Sequence, residues 1–123
     1  METLRSHLDL LVWRKSMDLV TGVYRLTSGF PPSEGFGLSA QLRRALASIP
    51  ANIAEGSGRG SRKEFAQFAA IARGSVTEVE TLLLVARELG YASPPTLQPL
   101  LDLAKEISRM LFGLRRSLMK PTT

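Results

Sequence analysis

The sequence predicts an all-α protein, an antiparallel up-down-up-down four-helix bundle. Apolar residues recur at spacings of three and four through four separate segments, and glycines and prolines punctuate the chain between them. No run of β-branched residues alternates with polar ones, so strands are not expected. Four amphipathic helices joined by short loops favour the bundle. With 123 residues the chain makes one domain, residues 1–123, able to bury about two thirds of its unfolded surface.

The first helix is expected from about Asp9 to Ser28. Leu11, Val12, Leu19, Val20, Val23, Leu26 and Thr27 share one arc, and Arg14, Asp18 and Arg25 lie opposite. Gly29 suits a C-terminal cap, and Pro31 and Pro32 cannot continue the hydrogen-bond ladder.

The second helix is expected from about Phe36 to Gly56, burying Leu38, Leu42, Ala45, Leu46, Ile49 and Ile53. Pro50 removes a backbone donor and collides with the carbonyl of Leu46, which costs about 3 kcal/mol and predicts a kink. The apolar arc keeps its phase through Leu46, Ile49 and Ile53, so the segment reads as one bent helix.

Gly56, Gly58 and Gly60 are expected to break the chain, and Ser61 with Glu64 forms a capping box that opens the third helix at about residue 62. It runs to about Leu89, with Phe65, Phe68, Ala69, Ala72, Val76, Val79, Leu82, Leu83 and Ala86 inward and Gly90 as its stop. Ser93, Pro94 and Pro95 read as the next turn. The fourth helix, about Thr96 to Leu118, buries Leu97, Leu100, Leu101, Ala104, Ile107, Leu111, Leu114 and Leu118, and Lys120 to Thr123 form a frayed tail.

The absence of cysteine excludes disulfides and thiolate metal sites. No stretch approaches the roughly 20 apolar residues needed to span a bilayer, and METLRSHLDLLVW at the N-terminus has no unbroken apolar run or small-residue cleavage site, so a cytoplasmic protein without a membrane role is expected. Sixteen Lys and Arg against 11 Asp and Glu leave a net charge of +5, and most of the cations are arginine, the side chain best suited to phosphate. Solvated surface charge accounts for such an excess equally well.

The third helix carries more apolar residues than a lone bundle needs: 15 Ala, Val, Ile, Leu or Phe among the 25 residues from Phe65 to Leu89. Ala66, Ala70, Gly74, Thr77, Thr81 and Leu84 form a stripe set opposite the core arc, and Ala40, Ala47, Ala51 and Ala54 form a matching one on the second helix. Small residues permit close helix approach, so Ala47, Ala51, Ala54, Ala66, Ala70, Gly74, Thr77, Thr81 and Leu84 are the expected oligomer interface. The competing reading is that alanine is simply a good helix former on a wet face.

Catalytic constellations are missing. His7 has no second histidine or cysteine with which to share a metal, and no base is placed beside a serine or threonine. Glu78 and Glu80 point about 200° apart on a helix and do not form a carboxylate pair. Asn52 and Glu55, near Pro50, can satisfy backbone groups freed at the kink or pair with an arginine across the bundle. No catalytic residue, metal or cofactor is expected, and the chain does not read as an enzyme.

Two basic features remain. The stretch from Gly56 to Lys63 places glycines before a helix N-terminus, where backbone N–H groups can cradle phosphate, although it lacks the P-loop spacing and reads equally as a plain turn. On the fourth helix Lys105, Arg109, Arg116 and Lys120 share a face, diluted by Asp102 and Glu106. No aromatic residue is expected among these cations, so any nucleic-acid contact would go to phosphates.

Leu42-Arg43-Arg44-Ala45, the segment from Ser48 through Pro50 and Asn52 to Gly56 (SIPANIAEG), Arg62-Lys63-Glu64-Phe65 and the earlier Val12-Trp13-Arg14-Lys15-Ser16-Met17 together resemble the four helix bundle protein family, whose members are encoded in intervening sequences of bacterial 23S ribosomal RNA genes and elsewhere in bacterial genomes. The resemblance extends along nearly the whole chain. It implies a barrel-like homopentamer. A related protein, the accessory variability determinant of diversity-generating retroelements, binds nucleic acid and a reverse transcriptase through a basic pentamer surface.

The leading expectation is therefore a non-catalytic homopentamer whose basic rim, drawn from Arg43, Arg44, Arg59, Arg62, Lys63, Arg109 and Arg116, contacts RNA or DNA phosphates without reading sequence. The alternative is a protein-interaction scaffold that docks another polypeptide, its arginines conferring only solubility.

Overall fold

A computed structural model describes residues 10–121 of the chain; His7, Asp9 and the last two residues of the expected frayed tail lie outside the described residues. Four helices account for nearly all of it: α1 Leu11–Thr27, α2 Leu38–Gly58, α3 Arg62–Glu88 and α4 Pro94–Met119, with a single 3-10 turn, Pro32–Glu34, between α1 and α2. There is no strand among the described residues. The fold is an all-α four-helix bundle.

α1 packs beside α2 and α4, α3 beside α2 and α4. Partners fall along one helix as they rise along the next. Ser48 of α2 shares a hydroxyl hydrogen bond with Ser75 of α3, whereas Gly56, further on, lies against Phe68 and Phe65. Arg62 reaches Ser117 of α4 while Arg73 reaches Ser108, and Lys15 of α1 pairs with Glu106 at 3.0 Å.

The core follows the periodicity. Leu38, Leu42, Ala45, Leu46, Ile49 and Ile53 are all buried on α2, and Leu97, Leu101, Ala104, Ile107 and Leu111 on α4. Burying each large aliphatic side chain contributes about 1.5–3 kcal/mol, and this interlocked row holds a fold that has no disulfide. On α1 the buried line is Val12, Ser16, Leu19, Val23 and Thr27. Leu11, expected inward, is 55% exposed because it stands 100° round from Val12. Ser16 takes the core position instead, its hydroxyl donating to the Trp13 carbonyl at 2.6 Å.

Helix ends depart from expectation in three places. Gly29 does not adopt the left-handed conformation; α1 closes with N–H bonds from Ser28 to Tyr24 O and Gly29 to Leu26 O before the prolines divert the chain. Gly56 does not break the chain either. It is buried inside α2, which continues through Gly58, and a Cβ there would sit 2.7 Å from the Phe68 Cβ, so the glycine is a point of close helix approach. Pro94 and Pro95, read as turn, are the first residues of α4, where a missing N–H breaks no helical bond.

Other ends follow their signals. Ser61 Oγ accepts the Glu64 N–H at 3.1 Å, the expected cap of α3. Gly90, at φ +77°, ends α3 in a Schellman arrangement: its N–H donates to Arg87 O at 3.0 Å and that of Tyr91 to Ala86 O at 2.9 Å. Asn52 Nδ2 donates to the Ser48 carbonyl at 2.7 Å, not to the Leu46 carbonyl that Pro50 deprives of its donor. Glu55 pairs with Arg59, four residues on and just past the end of α2, rather than across the bundle.

Candidate nucleic-acid interface

The short turn between α2 and α3 lies against the end of α4, and this junction collects charge. Arg62, in the first turn of α3, donates from Nη2 to the Ser117 carbonyl at 2.7 Å, a carbonyl in the last turn of α4 that otherwise accepts only the long 3.4 Å bond from the Lys120 N–H. The contact brings Arg59, Arg62 and Lys63 to the same end as Arg115, Arg116 and Lys120. Six cations meet two carboxylates there, Glu55 and Glu64, and Arg59 engages both, at 2.9 and 3.7 Å. The Arg59 guanidinium also lies 5.0 Å from the Phe68 ring centroid, so this side chain is held in place.

The seven expected basic residues do not form one patch. Arg59, Arg62, Lys63 and Arg116 share the junction. Arg43 serves the opposite half of the bundle: its Nε donates to Thr27 Oγ1 at 3.1 Å and its guanidinium covers the Tyr24 ring at 4.7 Å, clamping α2 to α1. Thirteen residues of helix, about 20 Å, separate it from Gly56. Arg44 is exposed near Arg43, and Arg109 is exposed about 10 Å along α4 from Arg116.

Two contributors were not anticipated. Arg115 joins the junction only because Arg62 ties α3 to the last turn of α4, although the paired arginines at 115 and 116 were a visible signal. Phe112 is 44% exposed, with Arg73 at 4.9 Å and Arg116 at 6.0 Å from its ring. An aromatic face does therefore stand among the cations, contrary to expectation. The proposed glycine cradle is smaller than the sequence implied: α2 occupies Gly56 to Gly58, the turn proper is Arg59 to Ser61 with Gly60 at φ +85°, and Ser61 already caps the Glu64 N–H.

The stripe expected to form an oligomer interface is largely open within one chain. Ala47, Ala51, Ala70, Gly74, Thr77, Thr81 and Leu84 are exposed and Ala54 is half-buried, and a Cβ on Gly74 would meet nothing within 4 Å. Ala66 is the exception, 4% exposed because it lies at the edge of the stripe and is covered from within the chain.

The opposite end is locked by one carboxylate. Glu34 Oε1 accepts the Leu38 N–H at 3.1 Å at the start of α2, and Oε2 accepts the Tyr91 hydroxyl at 2.8 Å. The first bond and then the second hold the Glu34 pKa below its ordinary value, and the bond to Glu34 raises that of Tyr91. Among the described residues no helix is long and apolar enough to cross a membrane.

The fold has a solved counterpart: the crystal structure of a protein with unknown function from the S23 ribosomal protein family of Bacteroides thetaiotaomicron VPI-5482 superposes with a TM-score of 0.76, covering 86% of this chain and 99% of that one at 24% identity. Among curated proteins none matches. The model of the 23S rRNA-intervening sequence protein family matches residues 8–113. A match across that much of the chain, on the bundle just described, places this protein in the 23S rRNA-intervening sequence protein family.

Proposed function

We propose that this chain is a non-catalytic, homo-oligomeric module that binds nucleic-acid backbone at its basic end without reading sequence. The observation that carries the proposal is the junction of the α2–α3 turn with the end of α4, where six cations face two carboxylates already engaged by Arg59. Guanidinium and ammonium groups held by helix ends suit phosphate oxygens, which fix position but carry no base identity. Phe112, flanked by Arg73 and Arg116, offers a face on which an unpaired base can stack.

The exposed stripes of α2 and α3 support self-association, because Ala47, Ala51, Gly74 and Thr77 let a second copy approach closely. Five copies is the number that the family resemblance implies. A ring would repeat the basic end around its axis, so weak phosphate contacts on each subunit would act together.

Fluorescence anisotropy with unstructured RNA and with duplex DNA tests this. Binding is expected at low salt and should weaken about a thousandfold between 50 and 200 mM salt if six phosphates are neutralised. Lys63→Glu with Arg116→Glu should weaken it at least tenfold, whereas Arg44→Glu, remote from the junction, should not. No binding of either nucleic acid at low salt would overturn the proposal.

A further inference from the structure

Beside the basic end, α3 and α4 enclose a groove of about 770 Å³. Its rim carries Arg62, Lys63, Arg115 and Lys120 and no carboxylate, while its floor is apolar, with Ile71 52% exposed and Met119 60% exposed. Phosphate binding uses the rim and has no use for the floor. Two large aliphatic side chains left this exposed beneath a ring of like charge point to an occupant that is apolar on one side and anionic along its edges.

We infer that the groove is the docking site for an acidic amphipathic helix of a partner protein. This goes beyond the phosphate-binding reading: it shares the rim cations with it but stands on Ile71 and Met119, which belong neither to the phosphate surface nor to the small-residue stripe that Ala66 and Ala70 begin. A strand laid between two helices would find its backbone groups unpaired, because both walls use their own N–H and C=O groups internally, whereas a helix arrives with its backbone already satisfied. The groove follows α3 from Arg62 to Ile71, nine residues or about 14 Å, which takes two to three turns of a third helix. Apolar residues at i, i+3, i+4 and i+7 of the incoming helix would cover Ile71 and Met119, and carboxylates on its flanks would face Arg62, Lys63, Arg115 and Lys120.

The probe is a fluorescein-labelled synthetic helix of about 15 residues with a leucine face and glutamate flanks, titrated with the full chain by anisotropy. It should bind at least tenfold more tightly than a shuffled peptide of the same composition and than a version with lysine flanks. Ile71→Gln combined with Met119→Gln, both changes on exposed side chains and neither altering charge, should weaken the designed helix at least tenfold and leave RNA binding and the circular dichroism spectrum unchanged. Equal affinity for the shuffled peptide, or indifference to the two floor substitutions, would overturn the inference. So would failure of the helix to bind while phosphatidylglycerol vesicles capture the chain in a manner that depends on Ile71 and Met119, since the groove would then be a lipid site. Loss of RNA binding in the floor variant would also overturn it, by making the groove part of the phosphate surface.

Discussion

Gly56 and Gly113 both lie inside helices, yet replacing each with alanine should have opposite effects. A methyl group on Gly113 meets nothing within 4 Å, so Gly113→Ala gains the helix-propensity difference, about 1 kcal/mol. The same group on Gly56 would stand 2.7 Å from the Phe68 Cβ, 2.9 Å from a Phe65 ring carbon and 3.4 Å from the Phe65 Cα. Those atoms sit on or next to the α3 backbone and cannot swing aside, so α2 and α3 must separate along the face that buries Ile49, Ile53, Ala69 and Ala72. Overpacking of this kind costs about 1–3 kcal/mol, which outweighs the propensity gain and leaves Gly56→Ala about 1 kcal/mol less stable than the parent. Thermal unfolding at one fixed protein concentration should show Gly56→Ala melting about 3–5 °C lower and Gly113→Ala about as much higher. If both variants were stabilised alike, the close approach at Gly56 would be refuted, and with it the account of how the SIPANIAEG segment packs.

Glu34→Gln tests the carboxylate lock by its pH dependence. Because folding lowers the Glu34 pKa, its contribution is complete above the unfolded value near 4.5 and is lost as pH falls through the folded value, so the parent's advantage over Glu34→Gln in urea midpoints should be present at pH 7 and shrink below pH 4.5; a pH-independent difference would contradict the lock. The raised pKa of Tyr91 acts in the other direction, its contribution full below 10.0 and lost as pH climbs through the folded value. Gly90→Ala places a Cβ at φ +77° and should destabilise by about 1 kcal/mol in the same unfolding assay; an unchanged midpoint would show that the α3 terminus does not need the left-handed residue.

The helices were legible because a 3.6-residue period survives in composition alone: every α2 position expected in the core is buried, and the cap at Ser61 is made as expected. What eluded the pattern depends on neighbours that the period does not name. Ala66 and Ala70 occupy the same stripe, but only Ala66 is covered from within the chain. Gly56 looked like a breaker because its residue type permits a turn, and only the presence of Phe65 and Phe68 across the interface reveals the need for a missing side chain. The candidate site shows the same limit. Arg43 and Arg62 look alike in sequence, but one clamps α1 to α2 and the other joins two helix ends that lie 55 residues apart along the chain.

Self-association, which would repeat the basic end around an axis, requires the small-residue stripes of α2 and α3 to be covered by further copies of the chain. Light scattering on a sizing column, across a wide range of protein concentration, addresses this directly. The expected result is a uniform particle several times the 13.5 kDa chain mass, five times where the family resemblance holds, that Gly74→Trp breaks into smaller species that remain helical. A well-folded parent protein that stays at 13.5 kDa at the highest concentration would contradict it.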